Sequence, residues 1–507
     1  MTVATCECYY LPTKAVVGLA KAPIGKLTPV LTLEDAATPI TLLDCFDQPL
    51  RNSDRLLFKL GDRVDLLTPD GQIISQPTPA KVQFIAGLPN GPVKSALADI
   101  SPLRSLLPIG SGTLRRGVLT LLDDEEKTQC RAHLRLFTCN GGKRTALVTL
   151  QGIRGYAKSH AALRQHIEAC GGIPLNIAGL SAEILPRKTA YTAKPEISIN
   201  ADQAAFTTAT NIIAGYLAVA EANEAGIIAD HDTEFLHDYR IALRKIRSVL
   251  SLFKGVYAEQ QTVELKSRFA DLMAATGRLR DLDVYLLEKQ RYYDFLPKAL
   301  HGGLDQIFAV FTKDRKVEHA KLADILKSKG YIKEMSGLAK LFEKRKKLHP
   351  GPSATRGAHD FACTLIWKRY RNICKSAAHI GPETDDAEVH ALRIHCKKLR
   401  YLMEFFASFF PTPAFKALLK PLKLLQDNLG LFNDFGVQQA SLQDFLHKAD
   451  RWPSGPNLEI AQTVGALTAV LHRRQSEERA KVVENFAQFN STAMQTAFCD
   501  LFHAGKT

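Results

Sequence analysis

Two basic segments of this chain carry the same residue types at the same spacing. The first, L-H-D-Y-R-I-A-L-R-K-I-R, places His237, Arg240, Arg244, Lys245 and Arg247. The second, V-H-A-L-R-I-H-C-K-K-L-R, places His390, Arg393, Lys397, Lys398 and Arg400, each 153 residues after its counterpart. The same offset carries Phe253 onto Phe406, Gly277 onto Gly430, Asp281 onto Asp434 and Val284 onto Val437. A register held without a gap over so many positions indicates an internal duplication, with two matched rows of cations facing a polyanion.

On an α-helix each residue advances about 100°, so positions 0, 3, 7 and 10 from the histidine share an arc of roughly 80°. His237, Arg240, Arg244 and Arg247 thus form one stripe, and Leu236, Leu243, Ile246, Leu250 and Phe253 form an apolar face opposite. In the second copy His390, Arg393, Lys397 and Arg400 stand opposite Leu392, Leu399, Leu402 and Phe406. Lys245 and Lys398 fall on the flank. A merely solvated helix face mixes signs, because i,i+4 pairs of opposite charge stabilise it. Neither stripe contains a carboxylate, so the like charges repel and call for a counterion. A phosphate chain would supply it, with the histidines donating to phosphate oxygens and becoming protonated beside the anion. A metal would need carboxylates or further histidines at ligand spacing, and neither copy has them; no metal or other cofactor is expected.

Downstream, Gly277-Arg278-Leu279-Arg280-Asp281 matches Gly430-Leu431-Phe432-Asn433-Asp434. Glycine followed by aspartate reads as a helix stop and restart with Asp as N-cap. Arg280 is positioned to join the first stripe, and Asn433 replaces it in the second half. Lys416, Lys420 and Lys423 make a further basic row, and Lys368, Arg369, Arg371 and Lys375 another, so the second half is expected to be the stronger electrostatic partner. Arg473, Arg474, Arg479 and Lys481 alternate with Glu477, Glu478 and Glu484 and read as a solvated face.

The elements that must hold these residues follow from texture. The chain has 507 residues, enough for several domains, with an apolar fraction of 46% that suits a globular protein. Its formal net charge of +14 favours acidic partners. Ten cysteines lie without the dense spacing of a disulfide framework, Cys6-x-Cys8 being too short for a zinc knuckle, and read as reduced thiols. No signal peptide or membrane-spanning run is expected, which makes a cytoplasmic location the default. Residues 1–185 read as a strand-rich α+β domain. Its strand-like runs are Thr41–Phe46, Leu56–Leu60, Val82–Ile85, Gly117–Leu122, Ala132–Phe137 and Ala146–Leu150. Asn140-Gly141-Gly142 marks a hairpin, and a closing helix runs over Tyr156–Cys170. Residues 186–200 read as a linker. Residues 201–507 read as an all-α domain in two four-helix-bundle-like halves, about 201–346 and 358–507, with pseudo-twofold symmetry. Within it, helices are predicted over 281–294, 413–429, 434–449 and 457–504, among others.

The doubled H-x-x-R-x-x-x-[RK]-[RK]-x-R helix, followed by G-x-x-[RN]-D, resembles the CHAD family, the conserved-histidine α-helical domain, over about residues 200–507. The resemblance implies a basic groove or pore that binds inorganic polyphosphate without chemistry and associates with polyphosphate granules. The implied contacts are His237, Arg240, Arg244, Lys245 and Arg247 with His390, Arg393, Lys397, Lys398 and Arg400; Arg280, Lys423 and Arg371 extend the candidate site. Such domains often follow a CYTH domain, an antiparallel tunnel barrel of triphosphate-processing enzymes. Cys45-Phe46-Asp47-Gln48-Pro49 and Leu56-Leu57-Phe58-Lys59 are similar to a strand pair of that family. Its opening Glu-x-Glu-x-Lys is missing, with only Glu7 at that place, so the first domain reads as a degenerate, inactive barrel lacking the oxygen ligands for Mg²⁺.

Two other functions compete. A metal-dependent triphosphate or polyphosphate hydrolase would use the helical domain to hold substrate, and the missing Glu-x-Glu argues against it. A nucleic-acid binder would interleave aromatic residues with the stripe for base stacking, and none are.

Overall fold

A computed structural model describes residues 7–185, 191–378, 380–381, 384–447 and 457–503. The chain divides into two compact units, Met1–Thr192 and Ala193–Thr507. Cys6, the first part of the expected linker (186–190) and the last residue of the expected 457–504 helix lie outside the described residues.

The first unit is built on one antiparallel sheet of ten strands: β1 (Cys8–Pro12), β2 (Thr28–Leu33), β3 (Thr38–Asp44), β4 (Leu56–Leu60), β5 (Arg63–Leu67), β6 (Ile73–Pro77), β7 (Leu107–Leu122), β8 (Thr128–Cys139), β9 (Thr145–Gly152) and β10 (Ile173–Pro174). Their order is β10-β1-β9-β8-β7-β3-β4-β5-β6. The long strand β7 pairs with β8 along one edge, and along the other with β3 and then β2. The chain turns from β8 into β9 at Asn140-Gly141-Gly142, where Gly141 takes φ +74°, a conformation glycine adopts without steric cost. Alternation on β8 buries Cys130, Ala132, Leu134 and Leu136 beneath α1 (Ala157–Ala169), whose Leu163 and Ile167 complete that core. A second helix, α2 (Ile177–Ile184), packs with Leu180 and Ile184 against Leu42, Phe58 and Phe137. Val82–Ile85, expected as a strand, forms only an isolated bridge from Phe84 to Ser105 before a tight turn.

The second unit is helical throughout its described elements: α3 (Ala205–Ile228), α4 (Thr233–Leu252), α5 (Glu259–Ala274), α6 (Gly277–Leu287), α7 (Lys289–Phe295), α8 (His301–Lys327), α9 (Lys329–Lys344), α10 (Ala358–Ala377), α11 (Asp386–Phe406), α12 (Thr412–His447), α13 (Leu458–Phe489) and α14 (Thr492–Phe502). The two basic segments are α4 and α11. Their apolar faces are buried as the periodicity requires: Leu236, Leu243, Ile246, Leu250 and Phe253 are at most 3% exposed, and Leu392, Leu399, Leu402 and Phe406 at most 1%. Phe253 and Phe406, counterparts under the 153-residue offset, stack at 5.2 Å and 12°. Gly226 on α3 leaves room for Phe235 of α4, which a Cβ would meet at 2.1 Å.

Helix boundaries depart from the sequence reading in four places. The Gly-to-Asp segments are not stop-and-restart junctions with an Asp cap. In the first half the break falls at Ala275-Thr276, and Asp281 lies inside α6. In the second half α12 runs unbroken through Gly430 and Asp434, and even through Pro421. An interior glycine costs about 1 kcal/mol of helix propensity, which burial of Leu425, Leu429, Phe432 and Phe435 outweighs. The region 281–294 is divided at Glu288, and the terminal helix at Asn490-Ser491.

Candidate functional site

Asp232 caps α4 by accepting from the Glu234 amide at 2.9 Å, which sets the phase of the first stripe. Helix α11 brings the second stripe against it, with α6 and α12 on the flanks. Arg240, Arg244, Arg280, Arg393, Lys397 and Arg400 become electrostatic neighbours. Burial, then repulsion from Arg244, Arg393 and Arg400, pushes Lys397 down to about 8 although Asp434 opposes the shift. Burial and the Arg244 and Arg280 charges lower Arg240 to about 10 against the pull of Asp281. Arg244 is lowered mainly by burial, with Arg280 and Arg393 adding to it and Tyr401 opposing.

The Nη1 of Arg240 donates to Thr276 Oγ1 at 2.5 Å, and that hydroxyl donates onward to the Met273 carbonyl at 2.7 Å. The guanidinium groups are left incompletely satisfied. Arg240 Nε, Arg244 Nε and Arg280 Nη1 are buried donors without a hydrogen-bond partner among the described residues. Buried polar groups are nearly always paired, so three orphans beside one another mark a place where acceptors are missing.

The stripes are not free of carboxylates, contrary to the sequence reading. Arg393 Nη2 stands 3.7 Å from Asp434 Oδ1, and Arg400 Nε stands 3.1 Å from Glu404 Oε1 at an angle too poor for a hydrogen bond. His390 Nδ1 lies 2.5 Å from Asn433 Oδ1, whose amide donates to Asp434 at 3.3 Å. Because an amide oxygen only accepts, Nδ1 carries the proton and Nε2 donates only when the ring is charged. Both halves contribute cations to this cluster. Arg393 and Arg400 have acidic partners there, and orphan guanidinium donors come from both halves: Arg240, Arg244 and Arg280 in the first and Arg400 in the second.

Other candidate residues lie elsewhere. Lys245 is buried and pairs with Glu404 across the α4–α11 contact, its ammonium 4.1 Å from the Tyr401 ring centre and 5.2 Å from that of Phe405. It is a brace between the two helices rather than a member of the stripe. Lys398 neighbours Arg369, Lys254 and Lys266 instead. Arg371 lines a separate cavity with Trp367. Lys423 and Arg247 are exposed, and His237 is partly buried at the start of its stripe. The solvated-face reading of α13 holds for Arg473 and Lys481, which are exposed and paired with Glu477 and Glu478, but not for Arg474, which lies 4.5 Å over the Phe295 ring, or Arg479, which pairs with Asp386 of α11 and donates to the Thr384 carbonyl. Thr276, Tyr401 and Glu404 escaped the sequence reading. Tyr401 and Glu404 sit four residues after Lys397 and Arg400, a spacing that was legible; nothing in one dimension points to Thr276.

Over the described residues, no group of three His, Cys, Asp or Glu side chains converges to hold a metal ion, and no helix is long and apolar enough to cross a membrane. Three carboxylates of the strand-rich unit show how such groups are held. Glu7 faces Arg164 at 3.7 Å and His160 at 3.8 Å, and Asp65 faces Arg63 at 3.1 Å and Arg116 at 4.0 Å. Asp44 accepts from the amides of Cys45, Leu50 and Arg51. These residues do not form the paired oxygen ligands that Mg²⁺ requires.

The family model of the CHAD domain matches residues 211–443. The chain carries a CHAD domain. Both cation-bearing helices, α4 and α11, lie inside the matched CHAD region, as do Arg280 and Asn433. Among solved structures, the CHAD domain from the plant Ricinus communis is 26% identical with a TM-score of 0.49, the match covering 59% of this chain and 96% of that one. PptA from Streptomyces chartreusis is 16% identical with a TM-score of 0.40, covering 55% of this chain and 98% of that one. No curated protein matches.

Proposed function

We propose that the CHAD domain binds inorganic polyphosphate, without catalysis, along the stripes of α4 and α11, as a cytoplasmic protein that associates with polyphosphate granules. The observation that carries this reading is the set of buried, unpartnered guanidinium donors on Arg240, Arg244 and Arg280. A phosphate chain offers closely spaced anionic acceptors, and arginine binds them in a fork. Arg393, Lys397 and Arg400 would close on the same chain from α11, and protonated His390 would add a donor. The two stripes then act as counterparts across a pseudo-twofold axis, in keeping with the Phe253–Phe406 stack. The strand-rich unit, a degenerate CYTH-like sheet in this reading, supplies no metal-assisted hydrolysis. Filter binding of long-chain polyphosphate in competition with RNA and DNA, with phosphate release followed in Mg²⁺, tests the proposal. Polyphosphate should outcompete both nucleic acids, affinity should fall steeply with salt, and no phosphate should be released. Preferential RNA or DNA binding, or Mg²⁺-dependent release, would overturn it.

Lys397 gives the binding a pH signature. In the free protein its charge is lost as pH rises through about 8, whereas a bound phosphate chain favours the charged form. Binding therefore takes up a proton above that pH, and affinity should decline by up to about tenfold per pH unit. Stability of the free protein runs the other way. Its depressed lysine binds fewer protons than the unfolded chain between about 8 and the ordinary lysine value, so stability rises with pH across that window. Titrations of Lys397→Arg, which stays charged, should lack the decline; an unchanged pH profile would remove Lys397 from the site.

A further inference from the structure

Along α10 lies a second cationic cavity, of about 760 Å³, within the size range of small-molecule sites. It is lined by Trp367, Lys368, Arg371 and Lys375 of α10, with Asn490 and Gln495 across from them. On α10 the tryptophan and the three cations share an arc of roughly 100°, and the row from Trp367 to Lys375 rises about 12 Å along the axis. No carboxylate lines the cavity among the described residues. Neither Lys368 nor Arg371 has an ion-pair partner among them.

The chemistry differs from that of the stripes. One face of Trp367 is stacked on His503 at 4.8 Å and 10°, Tyr370 lies tilted beside it at 5.8 Å and 35°, and the half-buried indole lines the cavity. The Asn490 side-chain oxygen accepts from Tyr370 Oη at 3.1 Å and from Cys374 Sγ at 3.2 Å. With that oxygen engaged on α10, its amide nitrogen remains as a donor. A bare phosphate chain has no ring to lay on an indole, and it would leave the tryptophan without a role. A ligand with a heteroaromatic ring at one end and a phosphate chain at the other would use the whole lining.

We propose that this cavity binds a nucleoside polyphosphate, its base against Trp367 and its phosphates along Lys368, Arg371 and Lys375. The proposal does not depend on polyphosphate binding at the stripes. Trp452 is the only other tryptophan, so Trp452→Phe makes Trp367 the sole indole reporter. In that background ATP should change the Trp367 emission in a saturable manner, and tripolyphosphate should bind at least about tenfold more weakly, the usual worth of one stacked base. Lys368→Ala with Arg371→Ala should weaken ATP by about tenfold or more. Trp367→Leu, followed by equilibrium dialysis, should weaken ATP about tenfold while leaving tripolyphosphate unchanged. Circular dichroism should show each variant helical. Changing Arg244 and Lys397 should leave ATP binding intact, which separates this site from the stripes. Equal affinity for ATP and tripolyphosphate, indifference of ATP to the α10 changes, or loss of ATP with the stripe residues would each overturn the proposal.

Discussion

With Arg244 and Lys397 both replaced by methionine, polyphosphate affinity should fall by at least about a hundredfold while the unliganded protein melts at a higher temperature. Charge-assisted hydrogen bonds contribute about 1.5–3 kcal/mol each, so losing two removes about 3–6 kcal/mol of binding. The rise in stability has a separate cause. Lys397 is held charged at neutral pH among Arg244, Arg393 and Arg400, in surroundings that lower its proton affinity to about 8. Relative to an ordinary lysine that is a penalty on the order of 3 kcal/mol, part of which methionine relieves while keeping the apolar stem packed. Calorimetry and filter binding on the same preparation check both halves. Cations kept for function at the expense of stability give this opposed pair of signs. Loss of binding together with a lower melting temperature would mean that the cluster holds the helices together instead.

What could be read in advance follows from which forces act locally. The apolar faces of α4 and α11, the Asn140-Gly141-Gly142 hairpin and the α1 helix are each set by periodicity or turn chemistry within a few residues, and the sequence was enough for them. The break at Ala275-Thr276 and the unbroken run of α12 were not legible, because the same Gly-to-Asp pattern meets different packing in the two halves. Thr276 anchors Arg240, but its counterpart is Leu429, buried within α12. The stripe partners show the same limit. Glu404 and Tyr401 correspond to Ser251 and Ser248, so a reading guided by what the two copies share passes over them. Repetition identified the cations; the residues that decide which cations remain available for an anion are the ones that differ between copies. Lys245 and Lys398 make the point from the other side, being matched in sequence yet one buried in a cross-helix pair and the other among Arg369, Lys254 and Lys266.

Glu404→Ala should destabilise the helical unit by about 2 kcal/mol, whereas Lys245→Met should cost less than about 1 kcal/mol. The asymmetry follows from burial. Lys245 has a side chain only 8% exposed and Glu404 one 37% exposed, so removing the carboxylate strands an ammonium against the Tyr401 and Phe405 rings, with Arg400 adding repulsion. Breaking a fully buried pair costs about 3–5 kcal/mol, and the partial exposure of Glu404 places this case below that range. Replacing the lysine leaves an exposed carboxylate that water and Arg400 can satisfy, and methionine fills the same space. Urea denaturation measures both, and the double variant should match Lys245→Met alone, since nothing is then stranded. The same variants decide what Lys245 does in binding. As a brace it can be lost with polyphosphate affinity kept within about threefold. Glu404→Ala should hold or raise that affinity, because Arg400 is released from its 3.1 Å ion pair and becomes available to the anion. If Lys245→Met weakens polyphosphate as severely as the changes at Arg244 and Lys397, the lysine is a phosphate contact and its pairing with Glu404 must break when the anion arrives.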